Sequence, residues 1–128
     1  MLDCIDRVRE LAGEYQVVEV VYDPWRFGQA AQELEREGLH MVTFPQSMTR
    51  MIPASQRLHE AITSKRLTLP DDPELAQHAA NAIARHSQRG WRIDKPGKEV
   101  HIDAIVALAM ALDSAESQPE PVRLLGWL

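Results

Sequence analysis

Apolar residues return every three or four positions at Leu2, Ile5, Val8 and Leu11 or Ala12, the spacing of one face of a helix. Gly13 is the expected stop. From Gln16 to Tyr22 the chain is apolar at almost every position and rich in valine, as in a strand covered on both faces. Asp23-Pro24 ends that run. The helical spacing returns in Phe27, Ala30, Ala31 and Leu34, with Gly38 where a C-terminal cap belongs. His40 to Phe44 is a second strand-like run, closed by Pro45. Strand, helix and strand with such short joints predict a right-handed crossover and therefore a parallel pair.

Two further helices are expected. One starts near Pro53 and uses Leu58, Ala61 and Ile62; the other has Asp72 as N-cap, Pro73 in its first turn, and Leu75, Ala76, Ala79, Ala80 and Ile83 inside. Trp91 to Lys95 and Glu99 to Ile102 flank Pro96-Gly97, which predicts a short hairpin. Ile102 to Leu112 is nearly uninterrupted apolar sequence and predicts a last, largely buried helix. Beyond Ser117 an apolar tail, Val122 to Leu128, follows two prolines; it either packs on its own domain or docks on a partner. The expected class is α/β, with parallel strands, flanking helices and a hairpin, in one domain over residues 1–116 and a tail over 117–128.

Composition narrows the field. Hydrophobic residues make up 45% and charged residues 26% of 128 positions, which suits a packed globular chain of single-domain size. No run reaches the length of a membrane span, and Met1 to Cys4 lacks the basic-then-apolar order of a signal peptide, so a cytoplasmic protein with no membrane partner is expected. Cys4 is the single cysteine, and the five histidines form no H-E-x-x-H or other tight spacing; neither a disulfide nor a zinc site is expected. The net charge of −5 argues against a surface that grips nucleic acid everywhere. There is no glycine-rich phosphate loop and no G-x-S-x-G.

Two carboxylates stand out. Asp23 closes the first strand, at the C-terminal end where open α/β sheets place ligands, although an aspartate before Pro24 also suits a helix N-cap. Asp103 opens the last apolar helix, where the helix dipole favours a carboxylate and where the surrounding apolar residues are expected to draw it toward the interior. Trp25 is expected in the core.

The ordered set Val20-Val21-Tyr22-Asp23-Pro24-Trp25, then Phe44-Pro45-Gln46, then Leu75 through Asn81, then Lys95 followed by His101-Ile102-Asp103-Ala104-Ile105-Val106-Ala107-Leu108 resembles the nuclease domain of the large terminase subunit of tailed bacteriophages. The resemblance spans roughly residues 17 to 115 and implies a truncated ribonuclease H-like fold. It implies an endonuclease that cuts concatenated double-stranded phage DNA during packaging, with Mg²⁺ or Mn²⁺ held by acidic residues. Asp23 would be the second acidic ligand and Asp103 the one on the late helix, and Lys95 or His101 would contact DNA phosphate.

The family's first catalytic strand and its aspartate precede the part that matches, and Asp3 and Asp6 sit in a helix. An incomplete acidic set, inactive alone, is therefore expected. The strand Val17 to Tyr22 would then be a sheet edge able to pair with a second copy. A non-catalytic, self-associating module or phage remnant with the same fold is the rival expectation.

Overall fold

The structure is a computed structural model that describes residues 2–117. The chain divides into two compact units, Met1–Met51 and Ile52–Leu128.

In the first unit, α1 (Leu2–Glu14) is followed by β1 (Val20–Tyr22), α2 (Pro24–Arg36) and β2 (Met41–Thr43). α1 runs one residue past Gly13, and Tyr15 N–H still bonds back to the Leu11 carbonyl at 2.9 Å. β1 and β2 pair in parallel with Val20 opposite Met41, Val21 opposite Val42 and Tyr22 opposite Thr43. Val20 N–H to His40 O (2.8 Å) and Phe44 N–H to Tyr22 O (2.7 Å) continue the ladder at both ends.

The first strand is shorter than its apolar run. Only residues facing β2 have a ladder to join, so residues 16–19 stay outside it, and β1 is half-buried where burial on both faces is expected. Val18 is 67% exposed.

α2 buries Ala30, Ala31 and Leu34 against Ile5 of α1 and Met41 of β2, with Val8, Val20, Tyr22, Phe27 and Leu39 around them. Its end is a Schellman motif: Leu39 N–H reaches the Leu34 carbonyl at 3.2 Å and Gly38 N–H the Glu35 carbonyl at 3.0 Å, with Gly38 at φ +99°. Glycine adopts that angle without the Cβ penalty other residues incur. Outside the apolar seam, Arg9 of α1 bonds Glu37 through Nε and Nη2, both at 2.8 Å, and Glu33 at 3.1 Å. Glu37 is held below its usual carboxyl pKa first by that hydrogen bond from Arg9.

α3 (Met48–Thr63) begins five residues before Pro53 and contains it. Ser47 starts the helix instead: its carbonyl accepts from Met51 N–H at 2.8 Å and its hydroxyl from Arg50 N–H at 3.4 Å. A proline this early removes one intrahelical donor and leaves the following turns intact. The unit boundary falls beside it, between Met51 and Ile52.

The second unit continues with α4 (Pro73–Asn81), β3 (Ile83–Ser87), β4 (Gly90–Asp94) and α5 (Asp103–Ser117). Asp72 caps α4 by accepting from Glu74 and Leu75 N–H at 2.9 and 3.2 Å. Ile83 belongs to β3 and not to the helix, and the hairpin is β3 with β4, not a turn at Pro96-Gly97. The sequence signal misleads because β3 is exposed at every position and has no apolar face. Its two-residue turn carries no Asn-Gly; the Ser87 hydroxyl bridges it, bonding the Gly90 carbonyl and Arg89 N–H at 3.0 and 3.2 Å.

β4 leans on α3. Ile93 N–H points away from β3 and is taken by the hydroxyl of the fully buried Ser55 at 2.9 Å. At Gly90, φ is +133° and a Cβ would come within 3.1 Å of Ile52 Cγ2. α5 packs against α4; Arg57–Asp113 (3.3 Å) joins it to α3, and Arg66–Glu116 (3.2 Å) joins it to the segment that follows α3. The tail expected over 117–128 lies outside the described residues after Ser117. No helix of the described residues is long and apolar enough to cross a membrane.

Candidate functional site

Asp23 follows β1 directly and sits half-buried at the N-terminus of α2. Its backbone is extended (φ −80°, ψ 120°) and its Oδ1 accepts from Trp25 N–H at 2.9 Å. One oxygen therefore serves as a helix cap, and Oδ2 has no hydrogen-bond partner among the described residues. The N-cap and the site readings of Asp23 coexist, because a carboxylate has two oxygens. Trp25 is 92% exposed, against expectation. The reason is angular: at 100° per residue it lies on the face of α2 opposite Ala30 and Leu34.

Asp103 is the first residue of α5, and its side chain is 82% exposed. The expected pull toward the interior does not occur. Ile102, Ile105, Ala109 and Met110 fill the buried face of this segment, while Asp103, Ala107 and Ala111 line an exposed strip at helical spacing. Small alanines make that strip look apolar in sequence without demanding burial. His101 Nδ1 lies 4.0 Å from Asp103 Oδ2, and the imidazole is itself 74% exposed. These two residues are brought together. Asp23 belongs to the first unit; Lys95, His101 and Asp103 belong to the second.

Lys95 is exposed just beyond β4, with its backbone fixed on both sides: its N–H donates to Asp94 Oδ1 at 2.8 Å and its carbonyl accepts from Arg85 Nη2 at 3.2 Å. Arg85 Nε also pairs with Asp94 Oδ2 at 2.6 Å. Partial burial pushes the Asp94 carboxyl up, and the hydrogen bonds from Arg85 and the Lys95 N–H, with the charges of Arg85 and Arg92, outweigh it and hold the group below its usual value.

A carboxyl with a depressed folded-state pKa adds stability above its unfolded pKa of about 3.9 and loses it as pH falls through the lower folded value. Asp94→Asn is thus expected to cost about 0.5–1 kcal/mol near pH 7 and to equal wild type once pH drops below the folded value. Urea unfolding of both proteins at a series of pH values from 7 downward measures both.

Between Ile83 and Lys98 the chain carries Arg85, Arg89, Arg92, Lys95 and Lys98 against a single acidic residue, Asp94. In a chain of net charge −5 this makes the hairpin a locally basic element, suited to phosphate. Inspection of Lys95 alone misses it; a running count of charge along the sequence finds it.

Carboxylate oxygen is the right donor type for Mg²⁺ or Mn²⁺. The number of donors is not sufficient: no group of three or more His, Cys, Asp or Glu side chains that could hold a metal occurs among the described residues. Neither Asp23 nor Asp103 belongs to such a group.

A family model described as the terminase large subunit, endonuclease domain, matches residues 1–118. The chain belongs to that family. Among solved structures, the terminase domain is similar to the HK97 bacteriophage large terminase at 25% identity and a TM-score of 0.75, covering 87% of this chain and 24% of that one. It is also similar to the large terminase nuclease from thermophilic phage G20c at 22% identity and a TM-score of 0.71, covering 87% of this chain and 60% of that one. A search of curated proteins returned none similar to it. The α/β fold of this terminase domain is thus the ribonuclease H-like fold of terminase nucleases, and the chain spans about a quarter and three-fifths of the two phage proteins it matches.

Proposed function

We propose that this chain works as a metal-dependent DNA endonuclease part of a DNA-packaging terminase, and that Asp23 and Asp103 each give carboxylate oxygen to Mg²⁺ or Mn²⁺. The observation that carries the reading is the family match across residues 1–118. Two features of the residues support it. Asp23 stands at the C-terminal end of a parallel strand, the usual ligand position in α/β sheets. Asp103 presents an exposed carboxylate with no Arg or Lys partner among the described residues, so a cation need displace no ion pair.

When bound, such ions activate a water and stabilise the leaving oxygen in phosphodiester hydrolysis. Each carboxylate alone holds metal weakly, and cutting DNA needs further ligands besides it. Lys95 and His101, both exposed, contact the DNA backbone together with the basic hairpin, as long cationic side chains do when neutralising phosphate.

Thermal unfolding with millimolar Mn²⁺ or Mg²⁺ tests the metal claim, because a ligand bound only by the folded state raises its stability by RT ln(1 + [L]/Kd), about 1.4 kcal/mol at ten times Kd. Wild type is expected to shift and Asp103→Asn not to shift. A wild-type protein indifferent to both ions at every concentration would end the metal reading.

A further inference from the structure

The start of α5 lacks the cap its sequence position calls for. Asp103 is its first helical residue, so Ile102 occupies the N-cap position. Isoleucine is among the poorest residues there, having no side-chain oxygen for the free N–H groups of the first turn. The Ile102 side chain is instead buried, at 8% exposure, and only its carbonyl serves the helix, accepting from Val106 N–H at 3.1 Å.

The missing acceptor comes from α4. His78 Nδ1 accepts from Ala104 N–H at 2.9 Å, and its side chain is 13% exposed. That bond fixes the tautomer: Nδ1 is bare and Nε2 carries the hydrogen, with Glu74 Oε1 4.0 Å from Nε2. One turn further along α4, Asn81 Nδ2 donates to the His101 carbonyl at 3.0 Å. Two side chains at i and i+3 on one helix face thus hold the backbone on either side of Asp103, at residues 101 and 104. The carboxylate itself is left exposed to solvent.

We infer that His78 and Asn81 are positioning residues for Asp103: they replace the absent N-cap of α5 and thereby fix where its first carboxylate stands. The inference rests on Asp103 being a metal ligand. It accounts for a near-buried polar histidine on a helix with no buried residue, and it predicts which atom matters. Only the acceptor at the δ position is used, so asparagine, whose Oδ1 lies where Nδ1 does, preserves the function, whereas glutamine moves its amide one bond outward.

The test uses the 128-residue chain and its variants His78→Asn and His78→Gln, with amide hydrogen exchange at Ala104 and the Mn²⁺ concentration dependence of thermal unfolding as readouts. His78→Gln is expected to speed Ala104 exchange about tenfold or more and to weaken Mn²⁺ affinity about 10–100-fold, the usual loss when a ligand's support is removed. His78→Asn is expected to restore both toward wild type. Two results overturn the assignment: His78→Gln matching wild type in either readout, or His78→Asn doing no better than His78→Gln. A wild-type protein that does not respond to Mn²⁺ at all removes Asp103 as a ligand and this inference with it, an outcome told apart from the others because it precedes any substitution.

Discussion

Asp23→Asn is expected to leave metal-free stability within about 1 kcal/mol of wild type while abolishing the stabilisation given by Mn²⁺, whereas Asp23→Ala is expected to lose both. The separation follows from the two oxygens of this carboxylate. Oδ1 accepts from Trp25 N–H at 2.9 Å and starts α2; asparagine keeps that acceptor and ranks with aspartate as an N-cap. What asparagine loses is charge, worth about 0.3–1 kcal/mol at a helix N-terminus, and with charge the affinity for a hard cation. Alanine removes the acceptor as well, at about 0.5–2 kcal/mol. Unfolding curves of the three proteins with and without Mn²⁺ separate cap from ligand. Should Asp23→Asn keep the full metal response, Asp23 is a helix cap only.

Leu34→Ala is expected to destabilise the first unit by about 2–5 kcal/mol, the largest effect of any single substitution considered. Leu34 is fully enclosed, and its neighbours in the cluster are mostly small or fixed: Ala30 and Ala31 on its own helix, Ile5 on α1 and Met41 on β2. Alanines cannot move into the space a leucine vacates, so a cavity remains and its cost adds to the lost transfer energy. The Leu34 carbonyl also anchors the Schellman turn through Leu39 N–H, which places the same residue between the end of α2 and the start of β2. Leu34→Met, close in volume, is expected to cost under about 1.5 kcal/mol, and the exposed neighbour change Glu35→Ala within about 0.5 kcal/mol. Urea midpoints of the three variants check this. A Leu34→Ala loss near that of Glu35→Ala would mean that the cluster is not the core of the unit.

Much of the fold was legible in the chain because it depends on short-range patterns. The apolar spacing of α1 and α2, the Asp23-Pro24 and Asp72-Pro73 starts, the glycine after α2 and the beginning of α5 at Asp103 are all local signals with a local cause, and each stands where expected. The parallel pairing of β1 and β2 followed from the length of the joints.

The misreadings have two separate causes. β3 has no apolar face of its own, and the ladder with β4 makes Ile83 a strand residue; at α3 the local cap from Ser47 begins the helix before Pro53, the stronger signal by residue type.

The amino-acid sequence by itself determined the family, the class of fold and the two carboxylates to examine, since these rest on residue type and order. The local cap of Asp23 belongs to that reading too, whereas tertiary structure alone decided how Asp103 is held. Whether Asp103 is drawn inward depends on which face of α5 the other helices cover, and its exposure follows from Ile102, Ile105, Ala109 and Met110 taking the buried side. That His78, twenty-six positions before Ala104, caps the helix bearing Asp103 has no local signature, because a hydrogen bond between elements depends on their packing and not on the spacing of residues along either one.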